Sequence, residues 1–132
     1  MEHFSTTDLE HGAHGEKEGS SRENTVLCGA NSYEQKYYFN PAFGKLPEGI
    51  RQELQILCVL FTEDVGGTLI LEFTPEGQLE FRVEVDDHDY LYDEIGGELK
   101  IRQYQREKRE LLESLELFYQ VFFLGKTLEE MV

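Results

Sequence analysis

Positive charge is what this sequence lacks most. Twelve Lys and Arg face 27 Asp and Glu, a formal charge of −15. Nucleic acid binding depends on cations that displace condensed counterions, so a general DNA or RNA binder is disfavoured. An anionic membrane surface is disfavoured on the same ground. No stretch approaches the ~18 apolar residues that span a bilayer. The start, MEHFSTTDLEHG, has neither a basic n-region nor an apolar h-region, so no signal peptide is expected. Cysteine is scarce too: Cys28 and Cys58 lie far apart and form no CxxC. Without an export signal they are expected as reduced, buried thiols in a cytoplasmic protein. Tryptophan is absent, which excludes nothing.

What is present suffices for one domain. The chain has 132 residues, of which 39% are apolar, with 9 Phe and 7 Tyr to fill a core. Residues 1–23 are rich in Gly, Ser, Glu and His and offer little to bury, so a disordered acidic tail is expected before a single domain over 24–132. His3, His11 and His14 fall in that tail without a surrounding ligand set. TVLCGAN, from Thr25, reads as a strand. SYEQKYYFN leans towards a second strand, through Tyr33, Tyr37 and Phe39, although Asn31 and Glu34 resemble a helical capping box. Pro47 suits a helix start, and Ile50, Leu54, Leu57, Phe61 and Val65 keep the 3.6-residue period. ILCVLF is apolar all round, which predicts a sandwiched helix closed by Gly66 or Gly67.

TLILEFT and QLEFRVEVD alternate about PEG, the pattern of a hairpin with one dry and one wet face; Ile70 is the exception. Ile101, Tyr104, Lys108, Leu111, Leu115, Phe118 and Phe122 then form a helical stripe interrupted only by Lys108. The expected fold is α+β: a small antiparallel sheet, with a central hairpin over 68–86 and one or two N-terminal strands, against two helices over about 47–65 and 98–123.

Chemistry is harder to place. DDHDYLYDEIGGE, from Asp86, carries six carboxylates and one histidine in thirteen residues. Counted from Asp86, it has no glycine at the sixth, turning position of a calcium loop and no Glu at the twelfth, and a zinc site would want more than His88. It reads as a solvated joint, with Asp93 or Glu94 at a helix start, where negative charge is stabilising. Gly96 and Gly97 either precede the last helix or permit close packing. Carboxylates around them would repel phosphate. Neither Asp93 with Glu94 nor Asp87 with Asp89 has a partnered nucleophile, and Cys28 with His88 would need a thiol outside an apolar run. No catalytic residue, metal ligand or cofactor is assigned.

The charge distribution says more. Between Glu80 and Glu94 there are seven acidic residues and one basic; between Lys100 and Arg109, five basic and one acidic. Glu80, Glu84, Asp86, Asp87, Asp89 and Asp93 are therefore expected to form an acidic surface that docks a basic protein partner, setting rate and selectivity more than affinity. The alternative is a small ligand binder or enzyme whose pocket, between helices and sheet, is lined by Tyr37, Tyr38, Tyr90, Tyr92 and Tyr104. LFYQVFFL, Leu117 through Leu124, is apolar on nearly every side and could join two copies.

Three segments carry a resemblance: VLCGANSYEQKYYFN, LPEGIRQELQILCVLFTEDVGG and YDEIGGELKIRQYQREKRELLESLELFYQVFFL. Over about residues 25–124 the chain resembles a family of short, acidic bacterial proteins of unknown function. The resemblance implies a bacterial intracellular origin and carries over no activity and no site residues. The helix–hairpin–helix order is also loosely similar to small bacterial immunity proteins, which neutralise toxins by surface contact.

Overall fold

The computed structural model describes residues 23–127. The expected tail, apart from Glu23, lies outside them. β1 (Thr25–Asn31) and β2 (Lys36–Phe39) form a hairpin in which Asn31 faces Lys36 and Cys28 faces Phe39. The Asn31 amide oxygen does accept the expected N–H groups, from Tyr33 at 2.8 Å and Glu34 at 3.2 Å. It caps the hairpin turn, however, and no helix follows. Asn40 then pins the exit of β2, donating to the Val26 carbonyl at 2.7 Å and accepting from the Ala42 N–H. A single 3-10 turn, Pro41–Phe43, drops Phe43 into the core.

α1 (Glu48–Val65) starts just after Pro47, whose carbonyl accepts the Ile50 and Arg51 N–H groups. Gly66 and Gly67 end it at φ 89° and 74°, a conformation that side-chain-bearing residues rarely adopt. Leu54, Leu57, Cys58, Phe61 and Val65 are buried, but Ile56 and Leu60 are about half exposed, so the helix is not sandwiched as its sequence suggests. The sheet lies beneath it and one helix runs along one flank. Ile56 and Leu60, one turn apart, share the flank that neither covers.

β3 (Thr68–Phe73) and β4 (Leu79–Glu84) form the expected hairpin, with Leu69 opposite Val83 and Phe73 opposite Leu79. Gly77, at φ 91°, closes its turn. The sheet order is β2-β1-β3-β4, all antiparallel, with a bulge between Val26 and Cys28 in β1. The helix-facing side carries Cys28, Ala30, Leu69, Leu71 and Phe73, with Tyr37, Phe39, Phe81 and Val83 packed against them. The opposite side is partly wet along β4, at Glu80, Arg82 and Glu84. On β3 it is dry: Ile70 joins Val26 and Tyr38 in a second cluster, and Glu72 is 2% exposed. That position explains why Ile70 breaks the alternation.

The last helix was expected as one element over 98–123. It is two: α2 (Glu94–Glu107) and α3 (Arg109–Phe122), parted at Lys108, whose backbone leaves the helical region at φ −108°, ψ 24°. The break falls at the one polar position of the stripe, where the Lys108 ammonium meets Glu53 at 3.0 Å. The two halves rest on different supports. α2 packs along α1, fastened by Lys100 to Asp64 at 2.8 Å, while α3 packs on the sheet and on Phe43.

α2 also begins earlier than expected. Asp93 caps it by accepting the Gly96 N–H at 2.8 Å, and both glycines lie inside the first turn. Close packing is the reason. A Cβ on Gly96 would collide with the Asp93 carboxylate, and one on Gly97 with the Tyr92 hydroxyl. Together, the four antiparallel strands and three helices among the described residues make an α+β fold.

Candidate functional site: a clamped acidic loop

The run DDHDYLYDEIGGE joins β4 to α2, and one distant tyrosine holds it. Tyr33, in the β1–β2 turn, accepts the Asp86 N–H at 3.1 Å and donates its hydroxyl to the Asp89 carboxylate at 2.5 Å. Asp89 in turn donates its N–H to the Asp86 carbonyl at 3.0 Å, and its other carboxylate oxygen accepts the Leu91 N–H at 3.0 Å. The loop is thus cross-tied from the hairpin side, from within, and by the Asp93 cap. Burial, then the bond to Asp89, pushes the Tyr33 phenol up to about 12. The same hydroxyl holds the Asp89 carboxyl below its usual range.

The clamp presents apolar side chains outward. Tyr90 is 85% and Leu91 93% exposed, and Ile95 and Leu99 follow on the solvent side of α2. Asp86 and Asp87 are exposed in the same loop, and Glu80 is exposed near the other end of β4. Of the six carboxylates expected to make the acidic surface, these three project freely into solvent. The others have local duties. Glu84 pairs with Arg82, Asp89 with Tyr33, and Asp93 caps α2. Glu80 and Glu84 stand on the side of the sheet away from α1 and α3, and the rest in the loop.

A buried ion pair underlies that side. Arg82 forks onto Glu72, through Nε at 2.9 Å and Nη2 at 3.2 Å, and Asn24 adds an amide donor at 3.1 Å. Burial opposes the Arg82 charge, but the Glu72 and Glu84 carboxylates outweigh it and keep the guanidinium protonated.

The tyrosines expected to line a pocket do not converge. A cleft of about 540 Å³ opens between the β1–β2 hairpin and α1, lined by Asn31, Gln35, Tyr37, Gln55, Val59 and Thr62 among others. Only Tyr37 of the five tyrosines belongs to it. Tyr38 lies on the other side of the sheet, Tyr90 in solvent, Tyr92 against Gly67 and Gly97, and Tyr104 buried on α2. The Tyr37 hydroxyl is buried without a hydrogen-bond partner, and burial, with the Cys28 and Cys58 thiols beside it, strongly disfavours its ionised form. Those thiols are free and buried, with sulfurs 3.9 Å apart, so Cys28 is closed to solvent while His88 is exposed. Among the described residues, no group of three or more His, Cys, Asp or Glu side chains is gathered to hold a metal ion, and no helix is long and apolar enough to cross a membrane.

Sequence reasoning missed two features. Tyr33 reads as an ordinary strand aromatic, because its partner Asp89 is 56 residues away. Glu72 reads as solvent-facing; the apolar Ile70 two residues earlier was the available sign that this side of β3 is covered.

Fold and loop together define a small acidic α+β domain that presents a braced, carboxylate-rimmed apolar tip. The chain belongs to a family of unknown function, DUF6145, whose model matches residues 24–127. No curated protein and no solved structure matches it.

Proposed function

We propose that this domain is a non-enzymatic, cytoplasmic interaction module that docks its acidic surface onto a basic protein partner, in the manner of an inhibitor or immunity protein. The carrying observation is the clamp: Tyr33 is bonded to the loop at Asp86 and Asp89, and that loop carries Tyr90 and Leu91 into water alongside the exposed Asp86 and Asp87. Binding hot spots combine aromatic or apolar anchors with a polar rim, and a loop ordered in advance loses less entropy on association. Buried free thiols at Cys28 and Cys58 fit a reducing compartment. Capture from a bacterial lysate at low and high salt tests the reading, with the wild-type chain beside a Tyr90→Ala/Leu91→Ala double variant and an Asp86→Asn/Asp87→Asn double variant. One partner retained at low salt, weakened by salt and by the acid variant, and lost with the apolar variant is expected. Retention indifferent to salt and to both variants refutes it.

A small-ligand role is the second reading, favoured by the cleft beside the unpartnered Tyr37 hydroxyl. Tyr37→Phe should leave the fold intact and abolish any ligand-induced rise in melting temperature. Pairing of two copies through residues 117–124 draws on the exposure of Leu117, Phe122 and Phe123, and light scattering tests it.

A further inference from the structure

The strand that leads into the acidic loop is also a sheet edge, and among the described residues part of its backbone is open. β4 has β3 on one side and, among the described residues, no strand on the other. In an antiparallel ladder, alternate residues turn their N–H and C=O groups towards the same neighbour. The ladder fixes which do so here. Thr74 donates its N–H to the Gln78 carbonyl at 2.8 Å, so Gln78 and, by alternation, Glu80, Arg82 and Glu84 face β3. Leu79, Phe81 and Val83 therefore point their backbone groups away. The Leu79 N–H confirms the direction, since it reaches sideways to the Glu116 carboxylate on α3 at 2.8 Å. Beyond that point the edge has no such cover: the N–H and C=O groups of Phe81 and Val83 make no hydrogen bond within the described residues.

The other edge, β2, is only four residues long. Short edges are one of the ways in which proteins blunt unwanted pairing; the six-residue β4, open at Phe81 and Val83, offers a longer template for another strand.

We propose that β4 accepts an added strand from the partner, and that this strand is a basic extended segment. The inference rests on the docking reading above and names what docks. Side chains of an added strand would alternate between the two sides of the sheet. On the side away from α1 and α3 they would lie beside Glu80 and Arg82, and past the strand end they would reach Asp86 and Asp87. On the other side they would lie beside Phe81 and Val83. A segment that alternates Lys or Arg with an apolar residue matches both, since Glu72 and Glu84 already offset the Arg82 charge and leave Glu80 and the loop carboxylates to set the sign. A second copy of this chain does not. Pairing two β4 edges about a two-fold axis through Arg82 would set Glu80 against the other copy's Glu84, and would add two chains of charge −15 each.

The probe is an eight-residue peptide alternating lysine with valine, beside a twin whose valine amides are N-methylated. The valine amides are those that would meet Phe81 and Val83. Residue-resolved hydrogen exchange on the full chain provides the readout. Without peptide, the Phe81 and Val83 amides should exchange rapidly, while Arg82, paired to β3, should be protected. With saturating peptide, Phe81 and Val83 should slow by at least about tenfold. The methylated twin should produce no such protection. A Val83→Pro variant, which removes one outward N–H at an edge position where proline is tolerated, should weaken binding more than Val83→Ala, which removes the same packing and keeps the N–H. Peptide binding that leaves Phe81 and Val83 in fast exchange, or that is equal for both peptides, overturns strand addition; if that binding still falls with salt and in the Asp86→Asn/Asp87→Asn variant, docking through the loop survives. No binding by either peptide, or binding unaffected by salt and by the acid variant, overturns both.

Discussion

The two ends of the sheet use the same residue type for opposite purposes. At the end where β3 turns into β4, Tyr119 stacks on Phe73 with ring centres 4.2 Å apart, flanked by Phe43 and Phe123, and its hydroxyl donates to Thr25 at 2.9 Å. At the other end, Tyr33 stands 38% exposed and spends its hydroxyl on a solvent loop. Both bonds join residues distant in sequence. The first closes a core, so its value is chiefly burial. The second shapes a surface, and it can be lost without opening the core. Stability should therefore reside at the aromatic end, and presentation at the acidic one.

Phe73→Ala tests the aromatic end most severely. Phe73 is fully buried and touches both Phe43 and Tyr119. Removing it should cost about 3–5 kcal/mol, read as a lower midpoint in urea unfolding. A loss under about 1 kcal/mol would mean that the stack is not the keystone of that end.

Arg82→Ala comes next, and it asks whether the middle of the sheet belongs with the core or with the surface. Glu72 is 2% exposed and, among the described residues, would keep the Asn24 amide alone. Leaving a buried carboxylate without its cation should cost on the order of 3 kcal/mol. Adding Glu72→Gln to that variant should recover part of the loss, because the amide has no charge to strand. No recovery would show that the damage comes from lost Arg82 packing.

How much of this was legible beforehand divides along the same line. The aromatic end and the hairpin could be read because periodicity and turn chemistry are local: Leu69, Leu71 and Phe73 alternate, and Gly77 falls at its turn position. The break at Lys108 could not be, since the stripe continues in register on both sides and only the change of support, from α1 to the sheet, bends it. The acidic loop was legible as composition alone. Its carboxylates could be counted, but that Asp89 and Asp93 bind within the fold, while Asp86 and Asp87 face water, depends on Tyr33 and on the start of α2. The first of these lies more than fifty residues away.

Gly97→Ala probes the seam between the two ends. The added methyl would strike the Tyr92 hydroxyl, and the Tyr92 ring is itself wedged against Gly67. A cost of about 1–3 kcal/mol is expected from overpacking, offset in part by the intrinsic helix preference for alanine. Combining it with Tyr92→Phe, which removes the struck oxygen, should restore most of the stability. Failure of that rescue would mean that Gly97 is held by the backbone of the first turn and not by the tyrosine.

Tyr33→Phe should have the smallest effect on stability and the most specific one on shape. Removing one exposed hydrogen-bonding group should cost less than about 1 kcal/mol. The Asp86 and Leu91 amides should nevertheless exchange faster, because one loses its acceptor and the other loses an acceptor that is held in place. The wild-type loop should also loosen at both extremes of pH. Asp89 has a lowered folded pKa, so its contribution is present above its ordinary value of 3.8 and is lost as the pH falls below it. Tyr33 has a raised folded pKa, so its contribution is full below 10.0 and is lost as the pH rises towards about 12. Amide chemical shifts of Asp86 and Leu91 followed against pH should show both transitions in the wild type. In Tyr33→Phe the alkaline transition should vanish and the acidic one should move up towards 3.8. If the variant keeps both transitions and the same exchange rates, the loop is ordered by its own bonds, and the hairpin tyrosine only leans on it.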